Sequence, residues 1–480
     1  MMIEIKSNRV QEFYNYFEKI AFGYSKYRKR YKYFWSNIVK YCNYYIQDNN
    51  TVLEIGCGTG DSLAELKGKQ KTGIDFSSNM IEQAKNRHPE LEFNHMQAEN
   101  ITLNNKYDVI LLTGVIGYFD NILDVLNSIK KVCHPKTKII ISYYNQFWEP
   151  LLRFAEFTGL KKRTPQKNWL SKHDIENILY LSDFEAFRTT RRMLIPINIP
   201  LISYIFNRYL ARLPFLNLLC VNKFINARPV FYPKKEGTKP EYTSTIVIPA
   251  RNESGNIEEA IKRIPKFGKH IEIIFVEGNS TDDTWLTIQK IQQKYKDTHD
   301  IKITQQDGKG KGDAVRKGYS MATGDVLMIL DADLTVPPED LPKFYYALVS
   351  GKGEFINGSR LVYPMEKEAM RLFNTVGNKF FSLLFSWMLE QPIKDTLCGT
   401  KVMFRDDYLR LQKNRKFFGE FDPFGDFDLL FGAYKLNLKI IDLPIRYRER
   451  KYGDTNISRF KHGLVLLRMC WYAAGKIKFW

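Results

Sequence analysis

Asp331 and Asp333 stand two residues apart, directly after the apolar run Val326-Leu-Met-Ile-Leu330. Carboxylates so spaced converge near the end of a strand and repel one another. A hard divalent cation with oxygen ligands, Mg or Mn, relieves that repulsion, and diphosphate oxygens can complete its coordination. Asp331 and Asp333 are therefore the expected metal ligands. A second constellation opens the chain's first half. Thr51-Val-Leu-Glu-Ile55 runs into Gly56-Cys-Gly-Thr-Gly60, and the next strand ends at Asp75. Glycines at a strand-to-helix turn admit a ligand where a Cβ would collide, and the acidic residue is placed to accept from a ribose diol.

Further polar segments follow apolar runs in the same way. Ser244-Thr-Ile-Val-Ile-Pro249 enters Ala250-Arg-Asn252-Glu253, and Ile271–Val276 ends at Glu277-Gly-Asn279. Carboxylate and amide loops at neighbouring strand ends suit a nucleoside at the carboxyl edge of a parallel sheet. Gly308-Lys309-Gly-Lys311 precedes the aspartate pair, and its lysines suit a diphosphate. Arg446-Tyr-Arg-Glu-Arg450 and the following stretch to Arg459 concentrate guanidinium groups, which pair bidentately with phosphate.

The elements that must position these residues are legible as β-branched runs separated by amphipathic stretches. They are Thr51–Ile55, Lys71–Ile74, Tyr107–Thr113 and Lys138–Tyr143, then Ser244–Ile248, Ile271–Val276, Val326–Leu330 and Phe355–Asn357. That alternation predicts an α/β fold with mostly parallel sheets. Arg228–Pro240, with three prolines and a glycine, is expected to continue neither a helix nor a central strand. The division expected is a first domain over 1–227, a linker over 228–241, and a second domain over 242–480.

Glu54-x-Gly-x-Gly-x-Gly60, Asp75-Phe-Ser-Ser-Asn-Met-Ile-Glu-Gln-Ala-Lys85, Gln97-Ala-Glu99 and Tyr107–Gly114 resemble the motifs of class I S-adenosylmethionine-dependent methyltransferases. The resemblance covers roughly residues 10–190 and implies a Rossmann-like sheet with S-adenosylmethionine as cofactor. It further implies that Glu54, Gly56, Gly58, Gly60, Asp75, Phe76, Ala98, Glu99 and Thr113 bind that cofactor. The Tyr-rich stretch Tyr14–Trp35 reads either as a lid helix or as a solvated amphipathic one. His134 and His173 are candidate bases, with surface or capping roles as the plainer reading.

The second half resembles family 2 inverting glycosyltransferases of GT-A fold, nearest to polyprenyl-phosphate mannose and glucose synthases. The resemblance rests on Pro249–Glu253, Glu277, Gly308–Gly318 and Asp331-Ala-Asp333, and covers about residues 243–465. It implies that a nucleotide-sugar donor is held by Pro249, Ala250, Asn252, Glu253, Glu277, Asn279, Lys309, Lys311 and Asp331. Arg360, Arg450 and Arg459 would border a polyprenyl-phosphate or glycolipid acceptor. A hydroxyl acceptor would need a carboxylate base, for which Asp426, Asp428 and Asp395 are the candidates, unranked. The whole is expected to be a bifunctional transferase. The alternative is a glycosyltransferase for a soluble glycan whose first domain only binds S-adenosylmethionine.

Bulk composition constrains the partners. The chain has 480 residues, 44% of them hydrophobic and 26% charged, which fits folded domains. Its net charge of +19 suits nucleic acid, anionic lipid or phosphorylated substrates, and charge alone does not choose among them. No Asn/Asp-Pro-Pro-Tyr segment follows Tyr107–Thr113, so no nucleic-acid partner is expected. The 6 cysteines form no CxxC pair, consistent with reduced thiols. The opening Met1–Phe17 lacks an apolar core, and no run of about 18 apolar residues occurs, so a cytoplasmic location is expected. The aromatic and cationic tail His462–Trp480 suits a helix lying on the inner face of a membrane, whereas Phe380–Met388 reads equally as core.

Overall fold

The computed structural model describes residues 8–158, 164–165, 167–231, 241–362, 372–415, 425–448, 450, 452 and 459–480, the side chains of 155, 372–376 and 459–463 aside. The chain falls into two compact units, Met1–Phe231 and Tyr232–Lys478.

In the first unit the strands are β1 (Thr51–Ile55), β2 (Gln70–Asp75), β3 (Glu92–His95), β4 (Tyr107–Thr113), β5 (Cys133–Tyr144), β6 (Phe184–Arg192) and β7 (Asn222–Pro229). They pair in the order β3-β2-β1-β4-β5-β7-β6. β7 runs antiparallel to both neighbours, and the other pairs are parallel. Val52, Leu53, Ile110, Leu111, Ile140 and Ile141 are all fully buried, as strands covered on both faces must be. β1 lies between β2 and β4, so the strand order reverses there and a crevice opens beyond the carboxyl ends.

The second unit has β8 (Thr243–Ala250), β9 (His270–Glu277), β10 (Asp300–Gln305), β11 (Val326–Ile329), β12 (Phe355–Ser359), β13 (Lys401–Phe404) and β14 (Ile440–Pro444). Their order is β10-β9-β8-β11-β13-β12-β14, with β13 antiparallel to β11 and β12. The reversal now falls between β8 and β11. One core joins Ile246, Ile248, Phe275, Met328, Phe344 and Ile356. No helix among the described residues is long and apolar enough to cross a membrane. The tail forms the helix Arg459–Ile477, which buries Leu466, Met469, Cys470 and Ala473 while Leu464 and Trp471 stay exposed. In the helix Leu372–Leu389, Phe385 and Met388 are buried and Leu383 is exposed.

Two sequence expectations need correction. Arg228 and Pro229 were placed in a linker, but they end β7, an interior strand. Pairing with β5 stops at Ala227, so Pro229 faces only Phe184 of β6, and its missing N–H interrupts no ladder on the β5 side. Arg228 pairs with Glu185 at 3.0 Å. Residues 232–240 of that seam lie outside the described residues. The antiparallel strands β6, β7 and β13 were also not foreseen.

The helix Lys311–Met321 packs on β8 so closely that a Cβ on Gly318 would overlap the Val247 side chain. Gly318→Val is expected to destabilise the second unit by about 2–3 kcal/mol. Calorimetry of the full chain should show unfolding of the second unit at lower temperature, and an unchanged thermogram would contradict the close packing of Gly318 on Val247.

Candidate functional sites

The crevice of the first unit is a cavity of about 1050 Å³ whose wall includes Glu54, Gly56, Gly58, Asp75, Phe76, Ala98, Glu99 and Thr113. β1 and β4 bring Glu54 and Thr113 together, and Thr113 Oγ1 donates to Glu54 Oε1 at 2.6 Å. The other oxygen, Oε2, is buried and accepts from no donor. Burial, offset in part by Thr113 and Arg28, pushes the Glu54 carboxyl up to about 7. Asp75 accepts from Gly58 N and Ser77 N, each at 2.9 Å, and burial raises it to about 6. Both carboxylates therefore lie in a pocket that favours a positively charged guest.

The three glycines divide their work. Gly58 has φ +54, and a Cβ there would lie 3.3 Å from the Tyr24 ring. Gly60 has φ +75, but a Cβ there would strike Phe93 at 2.6 Å. Gly60 is therefore a packing and turn requirement, and it is absent from the cavity wall.

The helix Asn8–Arg30 lies against the cavity rather than in solvent alone. Phe17 packs edge-on to Phe76 and Tyr118, at 5.8 and 5.3 Å between ring centres. Glu18 accepts from Ser77 Oγ at 2.7 Å and Asn79 N at 3.1 Å, which ties the helix to the loop after β2. Arg28 donates to Ser62 at 2.7 Å and stacks on Trp35 at 4.5 Å. Tyr24, Arg28, Trp35 and Tyr118 all face the cavity, a set that residue spacing alone did not single out. Neither candidate base lines it. His134 bonds Asp108 at 3.1 Å instead, and His173 lies in the helix Lys172–Leu181.

In the second unit the strand ends gather acidic groups around β8. Pro249 and Ala250 close β8 beside Val276 and Glu277 of β9. Asn252 and Asn279 both have φ +56. Asn252 Oδ1 accepts from Thr281 N at 2.8 Å, which bridges the two loops. Glu277 accepts from Ser280 N at 2.5 Å and from Gln305 at 3.0 Å. Those bonds outweigh its burial and hold its carboxyl below the usual range.

Every acidic group at the end of β11 meets a cation. Lys311 ion-pairs with Asp331, and the pair holds the ammonium protonated against its burial. Arg450 donates to Asp333 Oδ2 at 2.6 Å and to Glu253 Oε1 at 3.2 Å. Asp333 Oδ1 accepts from Thr335 Oγ1 at 2.8 Å. Burial raises Glu253 to about 7 even with Arg450 beside it. Gly399 was not singled out from sequence, although it stands four residues after the base candidate Asp395. A Cβ there would overlap the Lys311–Asp331 pair, so the pair lies on bare backbone. Lys309 is exposed.

The base candidates are held differently. Asp395 is fully buried, and Arg360 donates to its two oxygens at 2.7 and 2.9 Å. Arg360 outweighs the burial and keeps Asp395 ionised, so each spends its charge on the other. Asp426 lies 3.2 Å from the buried Lys401 Nζ, and Asp428 3.6 Å from Arg415. Arg459 opens the tail helix, and its side chain lies outside the described residues.

Residues 27–188 match a methyltransferase domain model, and residues 245–417 match glycosyl transferase family 2. Among curated proteins the chain is 30% identical over 223 residues to a dolichol-phosphate mannosyltransferase of Pyrococcus furiosus, covering 45% of this chain and 59% of that protein. It is 26% identical over 221 residues to an undecaprenyl-phosphate 4-deoxy-4-formamido-L-arabinose transferase of Salmonella paratyphi B, covering 45% and 62%. The chain thus spans about three fifths of the length of these relatives. Among solved structures, a SAM-dependent methyltransferase of Thermotoga maritima aligns at 16% identity, TM-score 0.36, over 45% of this chain and 99% of that one. The two matched segments give the chain a methyltransferase domain followed by a glycosyl transferase family 2 domain, each on its own seven-stranded α/β sheet.

Proposed function

We propose that the first unit transfers a methyl group from S-adenosylmethionine. The second unit transfers a sugar, with inversion, from a nucleotide-sugar to a polyprenyl phosphate or related glycolipid, aided by Mg or Mn. The observation that carries the second activity is the Asp331/Asp333 pair at the end of β11, faced by Lys311 and Arg450. The polyprenyl-phosphate relatives support the choice of acceptor.

The cofactor fits the first cavity. The unpartnered Glu54 Oε2 suits the amino-acid ammonium, and the Gly58 backbone leaves room beside Asp75 for a ribose. When bound, S-adenosylmethionine supplies an electrophilic methyl on a sulfonium. The chain's own part is alignment and exclusion of water, with Tyr24, Trp35 and Tyr118 as the apolar wall.

In the second unit, a divalent ion fits as a shared guest. Asp331 and Asp333 offer hard oxygens, and no cluster of three His, Cys, Asp or Glu able to hold an ion by itself occurs among the described residues. Such an ion supplies positive charge for a departing diphosphate. Lys311 and Arg450, beside the aspartate pair, would bring positive charge to phosphate oxygens. A phosphate acceptor arrives ionised and needs no base. For a hydroxyl acceptor, Asp426 or Asp428 would take the proton, while Asp395 serves to position Arg360. The exposed Leu464 and Trp471 of the tail suit peripheral contact with a membrane on its cytoplasmic face.

Two outcomes test these assignments. Glu54 holds a proton in the folded apo-protein from about its ordinary 4.5 up to about 7. The folded state thus binds more protons than the unfolded state in that window, and the stability of the first unit should fall as pH rises through it. Glu54→Gln should remove Glu54's share of that slope, leaving the share of Asp75 below about 6, and stabilise the apo-protein at about pH 8 by on the order of 3 kcal/mol. It should also weaken S-adenosylhomocysteine binding about tenfold or more. Denaturant titrations across pH, with calorimetric binding, check both. A variant less stable than the parent at alkaline pH would sink the assignment. For the second unit, the full chain is incubated with a nucleotide-sugar panel, divalent cation and polyprenyl phosphate, and the lipid fraction is read by mass spectrometry. Asp331→Asn/Asp333→Asn should lower transfer by about a thousandfold while leaving S-adenosylhomocysteine binding intact. Undiminished transfer would refute the role of the pair.

A further inference from the structure

The segment between β6 and β7 is folded inside out. Its polar residues point inward. Ser203 Oγ is buried, accepts from Ile199 N at 2.8 Å and donates to Ile197 O at 2.7 Å. Asn207 is buried too, accepting from Leu194 N and Ile195 N and donating to Ile195 O and Tyr33 Oη. Its apolar residues point outward instead, among them Leu201, Tyr204, Phe215 and Leu218. A water-facing helix shows the opposite pattern.

Two of those residues are held out at a conformational cost. Leu201 has φ 62, ψ −49 and Phe215 has φ 69, ψ −54. Each is the centre of a three-residue turn, closed by Ile202 N to Pro200 O at 2.7 Å and by Leu216 N to Pro214 O at 2.9 Å. This γ-turn is rare and strained for a residue with a side chain. Yet Leu201 is 71% exposed and Phe215 84% exposed, so neither side chain gains packing in return.

The surface continues onto a second element and carries cations. Trp148 Nε1 donates to Leu219 O at 2.9 Å, tying in the helix Glu149–Phe157, where Phe154 and Phe157 are exposed. Arg208 lies 5.3 Å over the exposed Tyr204 ring. Burial, then Arg192, Arg208 and Arg212, push the Lys40 ammonium down; Lys40 is exposed and Arg208 half-buried at this surface, while Arg192 and Arg212 are buried behind it. Apolar tips among cations match the boundary between acyl chains and anionic headgroups, whereas a second copy of so basic a chain would bring like charges together. Pro196 and Ile197, at the start of the segment, line the cofactor cavity.

We propose that residues 194–221, with the helix Glu149–Phe157, form a membrane-docking surface of the methyltransferase unit that seats in the interfacial layer of an anionic bilayer. Leu201 and Phe215 are its inserted tips, and the cavity rim at Ile197 lies at the same surface.

The test is flotation of the full chain with vesicles of phosphatidylcholine alone or mixed with phosphatidylglycerol. It compares the parent with Leu201→Gly/Phe215→Gly, both also in a Leu464→Asp/Trp471→Asp background that removes the tail's contribution. Glycine accepts positive φ, so the double variant should be as stable as the parent or more so, and should bind S-adenosylhomocysteine unchanged. Its partition onto the mixed vesicles should fall about tenfold or more in the tail-altered background. Equal partition of parent and variant, or no vesicle binding by the parent, overturns the proposal. So does a loss of stability or of cofactor binding in the variant, which would make the tips structural. So does self-association of the parent, without vesicle binding, that the variant abolishes. Failure of the parent to bind S-adenosylhomocysteine is a separate result and speaks against the methyl-transfer reading instead.

Discussion

Negative charge withdrawn from water at the carboxyl ends of central strands is the condition that organises both units. A buried carboxylate is costly unless something positive or hydrogen-bonding faces it. In the second unit the facing groups are Lys311 and Arg450. In the first, Glu54 keeps one oxygen without a donor and rises to about 7 instead. The contrast explains why the two sites differ in kind. One is balanced by cations the chain provides, and the other keeps a carboxylate oxygen without a donor beside its cavity.

The sheets exist to put those carboxylates where they are. β1 and β8 are interior strands beside a reversal of strand order, so their loops open into a crevice instead of meeting a neighbouring connection. Close backbone approach then decides details. Gly318 lets the helix Lys311–Met321 settle on β8, and through it places Lys311. Gly399 gives the Lys311–Asp331 pair a floor without a side chain. Asp395 and Arg360 neutralise one another beneath this arrangement, a brace between the loop after β12 and the segment before β13.

What could be read from sequence follows the same physics. β1, β4, β8, β9 and β11 were legible because strands buried on both faces are nearly continuous apolar runs. β6 and β7 were not, because Arg188, Arg191, Arg192, Lys223 and Asn226 interrupt the pattern. Arg188, Arg192, Lys223 and Asn226 are nonetheless buried, in a sheet edge rich in polar contacts. The motif residues named from sequence line the cavity, apart from Gly60, whose positive φ and closeness to Phe93 only coordinates reveal. The pairing of Arg450 with Asp333 spans 117 positions, and no local spacing encodes such a contact. The lid character of Asn8–Arg30 was undecided because Tyr and Lys suit a wet face and a cavity wall equally. The inverted polarity of residues 194–221 was overlooked because its composition is ordinary, and only its orientation is not.

The proposed sugar transfer requires the aspartate pair to hold an activated sugar's diphosphate through a shared divalent ion. Calorimetric titration of Mn²⁺, with and without saturating nucleoside diphosphate, measures that linkage directly. Two protein carboxylates alone should bind the ion weakly, and nucleoside diphosphate should tighten it by about tenfold or more, with the reciprocal gain for the nucleotide. Mn²⁺ affinity that ignores the nucleotide, or coupling that persists in Asp331→Asn/Asp333→Asn, would contradict the account.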